Sequence, residues 1–107
     1  MKGLAVLAGL ALAGCATTSA GLYESKVEMI LESARPPQEV ATCVVERLRW
    51  SVQMRNQGDH YWVLRLSSYG SPTVRWDFLP QDGGGTRAEL RMSIPIASGE
   101  DRVRECL

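Results

Sequence analysis

Val74-Arg75-Trp76-Asp77-Phe78-Leu79-Pro80, then Gln81-Asp82-Gly83-Gly84-Gly85, then Thr86-Arg87-Ala88-Glu89-Leu90-Arg91-Met92: this run decides the fold. In the first segment Val74, Trp76 and Phe78 alternate with Arg75 and Asp77; in the last, Ala88, Leu90 and Met92 alternate with Arg87, Glu89 and Arg91. A period of two sends successive side chains to opposite faces of a strand. The glycine-rich middle supplies the reversal. The run therefore predicts an antiparallel hairpin with one apolar, buried face and one charged, solvated face. Pairing Trp76 with Ala88 sets large against small on the apolar side, with Asp77 opposite Arg87 and Arg75 opposite Glu89 on the charged side. A shift by two residues would oppose Asp77 to Glu89, so the first register is the expected one.

Upstream, Val52 and Met54 alternate before the turn Asn56-Gln57-Gly58-Asp59, and Trp62, Leu64 and Leu66 alternate before Ser68-Tyr69-Gly70-Ser71-Pro72. Two more strands follow from this, with Trp62 and Trp76 both assigned to the buried face and Trp50 also read as core. Before them, Pro36-Pro37 opens a helix over 37–49, since proline is tolerated in a first turn. Glu39 lies near its start, Arg47 and Arg49 near its end, and Val40, Cys43, Val44 and Leu48 form one stripe. Downstream, Ser98 reads as an N-cap with Asp101 three residues on, opening a short helix over 100–107 that groups Val103, Cys106 and Leu107. The expected fold is α+β: a four-stranded antiparallel meander with an N-terminal and a C-terminal helix on one face, α-β-β-β-β-α, over residues 34–107.

The segment 23–33 is ambiguous. Val27, Met29 and Leu31 alternate like a strand, whereas Val27, Ile30 and Leu31 have helical spacing. It reads as a strand or an extended lead-in. Residues Ala16 to about Leu22, small and polar, read as a flexible tether.

The N-terminus carries an address. Met1-Lys2 gives one positive charge, and Gly3 to Gly14 is small and apolar throughout. That is a secretory h-region, too short for a membrane span of about 20 residues. It ends in Leu12-Ala13-Gly14-Cys15, which resembles the lipobox of bacterial lipoproteins. The resemblance implies a signal peptide at 1–14 that is cleaved, and Cys15 as the lipidated residue, anchoring the chain to a membrane without spanning it. One acyl chain holds marginally, at roughly 0.8 kcal/mol per buried methylene, and the three chains usual in that family hold firmly. Ala16 in place of aspartate implies sorting to the outer membrane of the cell envelope. Residues 15–33 then form anchor and tether or lead-in.

Removing residues 1–14 takes Lys2 and leaves 93 residues with eleven basic and twelve acidic side chains, which is no nucleic-acid signature. With Cys15 carrying lipid, Cys43 and Cys106 remain in an oxidising compartment. A bridge between them is expected, and two buried thiols are the alternative. Closing a loop of about 64 residues would contribute roughly 4 kcal/mol on the chain-entropy model. A metal pair does not fit, because His60 is the one histidine and no CxxC spacing exists. The helix with Cys43 and Trp50, the strands, Gly83 to Arg91 and the closing Cys106-Leu107 resemble a group of small proteobacterial lipoproteins of unknown function. That resemblance supports the fold and the address and brings no catalytic residues.

No catalytic grouping emerges, and no cofactor is implied. His60 reads as a turn-flanking residue and Ser71 lies in turn chemistry. Gly83-Gly84-Gly85 lacks the lysine and hydroxyl of a phosphate loop. Asp77 and Glu89 read as ion-pair partners of arginine before they read as a glycosidase pair. Arg65, Arg75, Arg87 and Arg91 exceed Asp77 and Glu89 on the expected wet face, a surface suited to an anionic glycan or lipid or to an acidic envelope protein. The expected function is a non-catalytic envelope accessory or binding module. The second reading is an inhibitor of an envelope or foreign hydrolase such as a lysozyme, with the Asp82–Thr86 hairpin entering a cleft, by analogy of size and place.

Overall fold

The computed structural model describes residues 18–48 and 52–107. The expected signal peptide over 1–14, Cys15, Ala16, Arg49 and Trp50 lie outside the described residues. In chain order the elements are α1 (Ser19–Tyr23), β1 (Met29–Ser33), α2 (Pro37–Arg47), β2 (Val52–Gln57), β3 (His60–Leu66), β4 (Pro72–Pro80), β5 (Thr86–Met92) and α3 (Glu100–Arg104). The protein is α+β, and its sheet has five strands in the order β1-β5-β4-β3-β2, every pair antiparallel.

The fifth strand comes from the ambiguous segment. Met29 and Leu31 stand opposite Leu90 and Ala88 and pack against the core, which selects the period of two over the helical spacing. The sheet therefore draws on residues before 34. It was expected to have four strands because β1 is short and joins the far edge, beside the last strand rather than its sequence neighbour.

One face of the sheet is apolar. Val63, Val74, Trp76, Phe78, Ala88 and Leu90 are buried there with Val40, Ala41 and Val44 of α2 and Val103 of α3. Helix α2 follows the expected logic: Pro37 at its start, Glu39 in the first turn, Arg47 in the last. At α3 the cap differs from expectation. Gly99, at φ 81°, is the N-cap, and Ser98 instead accepts from the Glu100 N–H through its hydroxyl (3.3 Å) and from Trp76 Nε1 through its carbonyl (2.9 Å). Cys43 and Cys106 are disulfide-bonded with Cα atoms 5.7 Å apart, tying α2 to the segment after α3.

The register differs from the expected one by two residues. Trp76 stands opposite Leu90, Phe78 opposite Ala88, Asp77 opposite Glu89 and Arg75 opposite Arg91. The large-against-small match belongs to Phe78 and Ala88, both fully buried. The turn sets the same register: Gln81 N–H donates to Gly85 O (2.9 Å), Gly84 N–H to Gln81 O (3.1 Å), and Gly83 and Gly84 take φ values of 90° and 91° that only glycine adopts freely. Gly85 cannot carry a side chain, since a Cβ there would lie 2.5 Å from the Ser33 carbonyl oxygen.

Trp62 and Trp76 are on opposite faces, contrary to expectation. Trp62 pairs with Asp77, and Val63 with Trp76, so Trp62 and Leu64 point away from α2. The alternation in β3 was assigned to the wrong face because Leu64 is buried on the second face, which was expected to be wet.

Loss of the disulfide has a definite expected cost. The Cys43→Ala/Cys106→Ala variant should lose about 2–5 kcal/mol in urea unfolding relative to the oxidised protein, and reductant should bring the native chain to the same midpoint. Coincident curves for oxidised and reduced protein would show that the bridge does not stabilise this core.

Candidate functional site: an ion-pair clamp beneath the N-terminal helix

The second sheet face is covered. Helix α1 lies across β4 and β5, so Thr18 to Leu22 is not the flexible tether expected of it. Thr18 caps α1, accepting from the Gly21 N–H through its hydroxyl (2.9 Å), and Leu22 is buried. A five-residue helix has almost no stability of its own. What holds it is the charged row beneath.

Asp77 is the centre of that row, at mid-strand in β4 and 0 % exposed. Its carboxylate accepts from Arg75 on both oxygens, Nε to Oδ2 and Nη2 to Oδ1, each at 2.8 Å. His60 Nε2 lies 2.6 Å from Oδ1, and Arg91 Nη1 lies 3.4 Å from Oδ2. Arg91 Nη1 is also 3.1 Å from Glu89, whose other oxygen is 3.0 Å from Arg87 Nε; that last contact is an ion pair too poorly aligned for a hydrogen bond. Like charges therefore face each other across the ladder while every carboxylate finds its guanidinium along the strand or on the diagonal, within reach of a long side chain. The rule against opposing Asp77 to Glu89 failed because it considered the directly opposite partner alone.

The arginines also reach outward to α1. Arg75 Nη1 donates to the carbonyl and hydroxyl oxygens of Ser19 at 3.1 and 2.8 Å. Arg91 Nε donates to the Ser25 carbonyl at 3.2 Å. Tyr23 lies between them, its ring centroid 4.5 Å from the Arg75 guanidinium carbon and 4.6 Å from that of Arg91, and Trp62 is 4.7 Å from Arg75 on the sheet side. The His60 ring packs at a tilt against both aromatics, with centroids 5.6 Å from Tyr23 and 5.2 Å from Trp62. Arg75 thus has carboxylate, hydroxyl, carbonyl and two aromatic rings around one planar cation, which its fork of donors suits and a lysine would not.

This arrangement corrects the arginine surface expected from the sequence. Arg75 and Arg91 are 4 % and 8 % exposed and are structural. Arg87 is on the same face with its side chain 42 % exposed. Arg65 is on the opposite face, since it pairs with Val74, and donates to the Ala97 carbonyl at 3.0 Å. Arg65 joins the other three in the expectation because alternation in β3 was assigned to the wrong face; Arg75, Arg87 and Arg91 do share one face. His60, expected to be a bystander at a turn, belongs to the cluster. Its signal lay in the pleat: two residues before Trp62, it shares that residue's face.

Chemically the cluster is a clamp. Asp77 has a histidine beside it, as in an acid–base dyad, but two guanidiniums already compensate its charge, and no hydroxyl nucleophile is bonded to His60 among the described residues. No group of three or more metal-ligating side chains occurs among the described residues. Comparison with protein-family models, curated proteins and solved structures finds no significant match.

Removing the centre should be costly. Asp77→Ala leaves Arg75 and Arg91 buried without their shared carboxylate and should lose about 3–5 kcal/mol in urea unfolding. Arg47→Ala, which breaks an exposed pair with Glu105 at 3.4 Å, should stay within about 1 kcal/mol of the native chain. In the Asp77 variant, amide exchange at Leu22 and Glu24 should quicken before the core strands do. Equal losses in the two variants would show that the cluster is not a clamp.

Proposed function

We propose that the chain is the precursor of a lipoprotein of the cell envelope, cut before Cys15, anchored through lipid on that residue to the outer membrane, with a non-catalytic domain that serves as a binding module. The observation that carries this reading is the Cys43–Cys106 disulfide behind a lipobox: a cystine between two core elements is chemistry of an oxidising compartment, and the signal segment is the route there. Among the described residues no helix is long and apolar enough to cross a membrane, so attachment would rest on the lipid. The non-catalytic reading is supported by His60, Asp77 and Glu89 all being engaged in the clamp.

With the charged face occupied by α1, partner docking falls to an edge. Strand β2 is the outer strand on one side, and every residue from Gln53 to Gln57 is exposed. Its outer backbone groups offer a template for a partner's strand. Mass spectrometry of the mature N-terminal peptide should find acylated Cys15, and Cys15→Ala should leave the chain unacylated and uncut. Capture from envelope extract by crosslinking should yield one partner that Gln53→Lys/Met54→Lys loses; capture unchanged by that variant would dismiss the edge.

The hydrolase-inhibitor reading keeps one favourable observation, an exposed hairpin tip carrying a carboxylate. Thr86 is buried and Gly85 is against Ser33, so the insertable part is Asp82 to Gly84. Inhibition of lysozyme by the protein, lost in Asp82→Ala, would select this reading over edge docking.

A further inference from the structure

Only Ala16 and Thr17 separate Cys15 from the first described residue, Thr18, and the very next residue is fixed to the sheet. Ser19 takes two hydrogen bonds from Arg75 in the middle of β4, and Ser25 takes one from Arg91 in β5. Three residues reach at most about 11 Å even when fully extended. A lipid on Cys15 therefore attaches within about 11 Å of Thr18, at the start of the helix that covers this face. On that face the side chains left partly open include Tyr23, 38 % exposed beside the clamp, and Ile30, 47 % exposed in β1 opposite Glu89. Arg55 pairs with Trp62 on the same side and Lys26 follows α1, while Glu24 also follows α1 and Glu32 stands opposite Arg87 on this face; all four are exposed, so the short link and not net charge selects the face. An amphipathic tyrosine, an aliphatic side chain and flanking cations on one face are the side chains that settle at a headgroup boundary.

We propose that the α1-bearing sheet face is the surface that lies against the bilayer, with Tyr23 and Ile30 in the headgroup region and Lys26 and Arg55 over lipid phosphates. This inference rests on the lipid anchor proposed above. The face bearing α2, α3 and the disulfide points away from the membrane, and the β2 edge and the hairpin tip stand at the sides. The clamp is what turns a point of attachment into an orientation, because it removes the swivel that a free segment would allow.

The mature, membrane-extracted protein in nanodiscs of phosphatidylethanolamine and phosphatidylglycerol doped with a gadolinium-chelating lipid provides the test. Amide signals of Tyr23, Ile30 and Arg55 should broaden at least several-fold more than those of Gln38, Glu46 and Arg102 on the helical side. Ten Gly-Ser residues inserted between Ala16 and Thr17 should keep acylation and abolish the difference. Acylated protein with uniform broadening, or with broadening strongest on the helices, would overturn the orientation and leave the anchor standing. Unacylated Cys15 in the same sample would overturn both. Selectivity that survives the insertion would assign the orientation to the face alone and overturn the role given to the short link.

Discussion

A carboxylate placed at mid-strand and shut off from water needs cations and hydrogen-bond donors around it, and Asp77 obtains them in a way that fixes much of what surrounds it. Arg75 supplies two bonds from two residues away on the same strand, and Arg91 and His60 complete the shell. The guanidiniums drawn inward are then themselves buried, and their remaining N–H groups must be satisfied. Ser19 and Ser25 do this, and the flat faces of the cation receive Tyr23 and Trp62. The docking of α1 is in this sense a consequence of Asp77. Removing the carboxylate leaves Arg75 buried without a carboxylate and Arg91 with Glu89 alone, and removing α1 leaves donors unpaired.

The sheet is consequently held by two different kinds of force on its two faces. Toward α2 and α3 the contacts are apolar and non-directional, so several side-chain combinations of similar volume would serve. Toward α1 they are charged and directional, so few would. The apolar side supplies the bulk of the stability and the disulfide reinforces it. The charged side contributes a unique placement of the N-terminal segment, which hydrophobic contact through Leu22 alone would not specify. Being buried, these ion pairs are screened far less by salt than the exposed pairs of α2 and α3.

The parts legible in the sequence were those governed by local period. The alternation of β4 and β5, the stripe of Val40, Val44 and Leu48, and the turn glycines all lead to the α+β class, and compartment chemistry led to the cystine. The register was not legible, because the pairwise charge rule treats a cross-strand neighbour as the one partner available, and arginine reaches past it. The face of β3 was misread because Leu64 is apolar and buried yet lies on the α1 side of the sheet, so an apolar residue did not mark the α2 side. The clamp itself was half visible: its arginines and carboxylates were picked out by number, but as a wet surface. Nothing in Thr18–Tyr23 announces a helix, since its order comes from partners far away in sequence, His60, Arg75 and Arg91. Short segments ordered by tertiary contact have no local period to read.

A clamp at this position has a consequence that a flexible lead would not. Where a domain hangs on a long, loose segment, its surfaces are equivalent with respect to the attachment point, and any of them can meet a partner. Here the N-terminal segment is bound across the middle of the sheet, so whatever precedes Thr18 leaves the domain from one face, and the free surfaces are unequal. The β2 edge runs along the side of that face, where a strand from a neighbouring protein could add without displacing α1. The hairpin tip at Asp82 to Gly84 and the exposed Tyr69 project from opposite ends of the same sheet, because one caps the β4–β5 turn and the other the β3–β4 turn. With α1 held over one face, the strand edges, the turns and the α2–α3 face are the surfaces left uncovered by the N-terminal segment, and the charged network is what fixes that division.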